Sequence, residues 1–133
     1  MKYFSFLLIA GCLSILAVSC KKKTAADTAK PSITFVEPEA GSTVYLSTDP
    51  EVHVEFTTTD DRALHSLNVL LIKNTNDTLM NQTPDVDNLT VYSFHEHAIP
   101  TGITASTPFR VIVTARDQYG NTEQQTVNFF VEP

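Results

Sequence analysis

The chain has 133 residues, a formal net charge of −6, two cysteines and no tryptophan. The charge is unevenly placed: residues 31–133 carry four cations (Arg62, Lys73, Arg110 and Arg116) against fourteen acids, a net of −10, while most lysines lie before them. That balance excludes binding to a nucleic-acid phosphate backbone, which needs clustered Lys and Arg. The length allows one domain plus a leader.

Met1-Lys2 is followed by Tyr3 to Val18, an uncharged and mostly apolar run. At about 16 residues it is shorter than the roughly 20 needed for a spanning helix. It ends in the small residues Ala17 and Ser19, as a signal-peptide cleavage site requires, with Cys20 next. Residues 1–19 therefore read as a signal peptide, and Leu16-Ala17-Val18-Ser19-Cys20 resembles the lipobox of bacterial lipoproteins. Ala17 stands where the commonest lipobox has Leu, and looser boxes ending in Ser-Cys are familiar from Bacteroidetes lipoproteins. The resemblance implies that Cys20 is multiply acylated and holds the protein at the outer membrane, a partner reached through lipid. Several acyl chains hold a protein stably, where one holds it marginally. Lys21, Lys22 and Lys23 add attraction to anionic headgroups. The surface-export signal of these bacteria is acidic just after the cysteine, so the lysines favour a periplasm-facing position, with surface exposure left open.

Cys12 leaves with the signal and Cys20 carries the lipid, so the processed chain has no disulfide and no free thiol. Residues 20–30 are rich in Thr, Ala and Lys without apolar periodicity and read as a flexible tether. Asp27-Thr28-Ala29, like Asp77-Thr78-Leu79 further on, resembles the Bacteroidetes O-glycosylation sequon, with Thr28 and Thr78 as the acceptors.

From Pro31 the chain alternates apolar and polar residues in short runs broken by turn residues, which predicts strands with one buried face. Ile33 and Phe35 alternate before Pro38; Val44 and Leu46 follow an Ala40-Gly41-Ser42 turn; Val52, Val54 and Phe56 alternate with His53 and Glu55. Thr57 to Arg62 predicts a polar acidic loop, and Leu67 to Ile72 is nearly continuous apolar and predicts a strand covered on both sides. Asn74 to Asp77 predicts a turn. Thr78 to Leu89, with Pro84, gives the weakest signal. Val91 to Ile99 is a strand with Tyr92 and Phe94 facing inward. Phe109, Val111, Val113 and Ala115 alternate into a hairpin about Gly120, closed by Thr126 to Val131. About seven strands and no helix after the signal predict an all-β fold, an antiparallel β-sandwich over 31–133.

Two motifs carry a resemblance. Thr57-Thr58-Thr59-Asp60-Asp61 leading into Ala63-Leu64, with Ala115-Arg116-Asp117-Gln118-Tyr119-Gly120-Asn121 later, resembles the loops of bacterial Ig-like and cadherin-like modules. It implies an Ig-like sandwich in which Asp60 and Asp61 approach Asp117 and Asn121 at one end, where cadherin-like modules bind Ca²⁺. Carboxylate and amide oxygens suit that ion. The Asp-x-Asn-Asp-Asn run of cadherins is missing, and Asp117 also suits plain turn chemistry, its side chain accepting from its own backbone.

Phe94-His95-Glu96-His97 offers a second candidate. His95 and His97 project from the same strand face, and two imidazoles bind Zn²⁺ or Cu²⁺ when a third ligand, His53 or His65, arrives. The alternative is two solvent-facing polar histidines. No serine lies in a nucleophile elbow, and the carboxylates sit in loops with no sign of a pocket that would raise a pKa, so the chain reads as non-catalytic. It is expected to be a monomeric envelope module for binding or structural interaction with another envelope protein; metal binding is the alternative. A glycan-binding role is weaker: the sequence has no tryptophan, and Tyr119 is the one tyrosine expected to be loop-exposed.

Overall fold

The computed structural model describes residues 26–133. The signal peptide 1–19, the lipidation site Cys20 and Lys21 to Lys23 lie outside the described residues. Eight strands follow in order: β1 (Ser32–Glu37), β2 (Thr43–Tyr45), β3 (Val52–Thr59), β4 (Leu64–Lys73), β5 (Asp77–Gln82), β6 (Val91–Ala98), β7 (Thr107–Asp117) and β8 (Thr122–Glu132). They form two sheets, β1-β3-β6 and β2-β8-β7-β4-β5. The architecture is the all-β sandwich that the alternation predicts, with β5, in the weakly patterned stretch after Asn74, as the extra strand. β2 runs parallel to β8, and every other pairing is antiparallel.

The alternating pattern decides which face is covered. Val52, Val54 and Phe56 in β3 are fully buried, whereas His53, Glu55 and Thr57 between them are half-buried on the outer face. Phe56 stacks on Phe94 of the neighbouring β6 with centroids 5.0 Å apart, and meets Phe35 of β1 at 5.5 Å. The facing sheet supplies Val69 and Leu71 from β4, Phe109, Val111 and Val113 from β7, and Phe129 and Val131 from β8. These two apolar faces close one core, as a sandwich without a disulfide must.

Three local expectations need correction. Thr57 to Thr59 are not loop: they continue β3 and pair with β6 as far as Thr59 opposite Val91, so the loop begins at Asp60. The apolar run in β4 is not covered equally on both sides. Leu67, Val69 and Leu71 enter the core, Leu70 is half-buried, and on the second face Ile72 alone reaches burial, outside the main cluster. A central strand flanked by β5 and β7 shields its outer side chains sideways, without a second layer. Tyr45 is as exposed as Tyr119, because β2 is a short edge strand that buries little. The poorly legible Thr78 to Leu89 contains β5 and then a crossing between the sheets. Val86 plugs the core, and the segment is tied to β4 by Leu64 N donating to Leu89 O at 2.7 Å and Asn88 N to Leu64 O at 3.0 Å.

Chain reversal follows from the turn residues. Asn74 takes φ 55° between β4 and β5, and Gly120 takes φ 94° between β7 and β8. Such left-handed backbone is cheap for Gly and tolerated by Asn. Both long hairpins therefore close at their predicted turn residues, and the second puts Asp117 and Asn121 at the same end of the sandwich as the β3–β4 loop.

Candidate metal centre

At that end three carboxylates converge. One oxygen each from Asp27, Asp60 and Asp117 lies within 4.8 Å of the other two. Asp60 follows β3, Asp117 ends β7, and Asp27 comes from the segment before β1. All three are at least nine-tenths buried: 9%, 8% and 1% of the residue surface stays exposed at Asp27, Asp60 and Asp117.

Turn chemistry places each one. Asp60 Oδ1 accepts from Arg62 N at 3.0 Å and Ala63 N at 2.8 Å, folding the chain into β4. Asp117 Oδ1 accepts from Tyr119 N and Asn121 N, both at 2.8 Å, while its Oδ2 accepts from Asn121 Nδ2 at 2.6 Å. Asp27 Oδ1 accepts from Ala29 N at 3.0 Å, and Asp27 O accepts from Asn121 Nδ2 at 3.2 Å. Asn121 therefore ties the incoming segment to the β7–β8 turn. Two oxygens remain. Asp27 Oδ2 forms an ion pair with Arg62 Nε at 3.4 Å but receives no hydrogen bond, and Asp60 Oδ2 is buried with no hydrogen-bond partner. A buried acceptor left in that state costs about 1–3 kcal/mol, and more when charged.

Electrostatics sharpen the point. Carboxylates within 4.8 Å of one another repel when ionised, and more strongly where water is scarce. Arg62 is the cation beside the group, and its guanidinium also donates to Tyr119 OH at 3.3 Å and lies 5.3 Å from the Tyr119 ring centroid. Burial pushes the Asp117 carboxyl up, but donation from the Asn121 side chain and from the backbone of Asn121, Tyr119 and Gly120 outweighs it and holds the group below its ordinary value. Asp117 is thus an anion at neutral pH.

The structure brings Asp60, Asp117 and Asn121 together as the sequence motifs suggested, and both readings of Asp117 meet there, since its turn hydrogen bonds are made within the carboxylate group. Asp61 is exposed and contributes no oxygen to the group. Asp27 escaped the sequence reading, which assigned it to the tether; its one signal was a lone acid in a basic segment. The donor set fits a hard cation: it is all oxygen, as Ca²⁺ prefers, with water completing six to eight ligands.

The histidines lie elsewhere. His53 pairs with His97 in the β3–β6 register, Glu55 pairs with His95, and all four project from the outer face of the three-stranded sheet. His65 is remote from them, 3.0 Å from Asp87 Oδ1, and is not the third imidazole. Thr28 and Thr78 are both exposed. No helix among the described residues is long and apolar enough to cross a membrane. No family model matches the chain, and no curated protein matches it significantly.

Proposed function

We propose that this chain is a non-catalytic binding or structural module of the cell envelope, lipid-anchored at Cys20, whose anchor segment is fastened to the sandwich by Ca²⁺. The observation that carries the cation is the burial of Asp27 against Asp60 and Asp117, with Asp60 Oδ2 unpartnered. A divalent ion removes the repulsion among three anions and satisfies the orphaned oxygen in one step. It also joins the chain before β1 to two loops, so the anchor would leave the domain from a fixed point. Full neutralisation by Arg62 is the competing arrangement, and it predicts no response to calcium.

The test is a thermal melt of the full chain in detergent micelles, stripped with chelator and then given Ca²⁺. An ion at about 100 times its dissociation constant adds roughly 2.7 kcal/mol, or about ten degrees or more for a domain of this size. Asp60→Asn should abolish the shift. A midpoint indifferent to Ca²⁺, or a shift retained in Asp60→Asn, overturns the calcium reading.

Anchoring is checked separately. Cys20→Ala should move the protein from the membrane fraction to the soluble fraction, because the acyl chains supply the hold and three lysines contribute only about 1 kcal/mol each near an anionic surface. Retention of the variant in the membrane would sink the anchor.

A further inference from the structure

We propose that the outer face of the three-stranded sheet is a second, independent metal site, for a borderline divalent ion of the zinc or copper class, with His53 and His97 as principal ligands, Glu51 between them and His95 completing the set. The three histidines come from adjacent strands in fixed register, and Glu51 immediately precedes β3. His53 stands directly across from His97, and His95 lies two residues along the same strand face. The His53 ring centroid is 5.8 Å from that of His95 and 6.0 Å from that of His97.

Those spacings suit a shared ion. A metal–nitrogen bond of about 2.0 Å plus a ring radius of roughly 1.1 Å puts a ligated ring centroid about 3.2 Å from the ion, so two such rings lie about 5.2 Å apart at a tetrahedral angle and at most about 6.4 Å apart. Glu51 strengthens the case. Its Oε2 is 3.9 Å from His53 Nε2 and its Oε1 is 3.8 Å from His97 Nε2, so one carboxylate already faces both imidazoles. Asp49 Oδ2 also sits 3.3 Å from His53 Nε2. Loading the site requires rotation of the half-exposed His97 and Glu51 side chains; the paired backbones need not move.

The surroundings favour a cation as well. An open cleft of about 300 Å³ reaches His53 and is lined by Glu37, Glu39, Asp49 and Glu51. Mixed imidazole and carboxylate donors select zinc and copper over calcium, whose ligands are oxygens alone. Copper(II) should bind more tightly than zinc at the same donors. This site shares no residue with the Asp27–Asp60–Asp117 group, so the two can fail separately.

The test titrates ZnCl₂ into the full chain, free of any histidine tag, in detergent micelles after chelator treatment, while the imidazole nitrogens are followed by NMR. The expected result is saturation at one equivalent, with resonances of His53, His95 and His97 moving and those of His65 staying still. His97→Ala, on an exposed edge strand where folding tolerates the change, should weaken binding by at least about tenfold, Glu51→Gln should weaken it less, and Asp60→Asn should leave it intact. Equal movement of His65, unchanged affinity in His97→Ala, or no saturable binding up to millimolar zinc would show that these histidines are only a solvated polar face, and would overturn the proposal.

Discussion

Phe56→Ala is expected to cost about 3–5 kcal/mol of folding stability. Phe56 is fully buried at the centre of β3, stacked on Phe94 at 5.0 Å and tilted against Phe35 at 5.5 Å, and both partners belong to its own sheet. Removing the ring therefore opens a cavity beneath three strands at once. Neither β1 nor β6 can collapse into it without giving up backbone pairing to β3, because β3 is the middle strand. A domain of this size has a total stability of roughly 5–15 kcal/mol, so the variant should populate unfolded chain at moderate temperature. Urea melts of the wild-type and variant chains measure the difference. Val54→Ala and Val113→Ala, which remove less side chain from equally buried positions on opposite sheets, give the scale: about 1–3 kcal/mol each. A Phe56→Ala cost no greater than theirs would mean that the aromatic cluster relaxes, and that the core is held mainly by the five-stranded sheet.

The fold was legible because its strands alternate. Val52, Val54 and Phe56 name their buried face without any tertiary knowledge, and so do Phe109, Val111 and Val113. Legibility failed where burial comes from neighbours and not from period. Thr78 to Leu89 looked formless because β5 is an edge strand with exposed polar side chains, and Val86 is buried by a crossing that no local pattern announces. The carboxylate group was legible in part for the same reason. Asp60, Asp117 and Asn121 sit in turns whose ends a two-sheet topology brings together. Asp27 is 90 residues away from Asp117 in sequence, and only three-dimensional placement gives it a role. Asp61, adjacent to Asp60 and chemically identical, points to solvent because consecutive turn residues face different ways. The histidine face depended on register: His95 and His97 were visible as a pair with His53 or His65 as the third, and the choice of His53 follows from which residues of β3 and β6 stand opposite one another, while Glu51 joins them from just before β3.

Asp117→Ala should cost about 2–4 kcal/mol at neutral pH, and the size of the loss should depend on acidity. The side chain accepts from Tyr119 N, Asn121 N and Asn121 Nδ2, and the residue is 1% exposed, so truncation strands donors in a site with little access to water. It also loosens Asn121, whose amide holds Asp27 O and hence the segment before β1. One effect works in the opposite sense: the variant has one fewer anion in the carboxylate group, which relieves repulsion and keeps the cost below the sum of three charged hydrogen bonds. The sign of the pH effect follows from the direction of the shift. Asp117 is held below its ordinary value of 3.8 in the folded chain. Its contribution is therefore complete above the unfolded value, near pH 4, and disappears as pH falls through the folded one. The stability gap between wild type and Asp117→Ala, read from urea midpoints, should be widest from about pH 5 to 7 and narrow progressively below about pH 4. A gap that stays constant into strong acid would mean that the carboxylate charge contributes nothing and that the turn needs only a hydrogen-bond acceptor. In that case Asp117→Asn, whose one oxygen still accepts from Tyr119 N and Asn121 N but whose amide N–H groups face that of Asn121, should lose only the Asn121 side-chain bond at pH 7. If the charge matters, Asp117→Asn loses the charge-assisted part of the two backbone bonds as well and lies closer to Asp117→Ala.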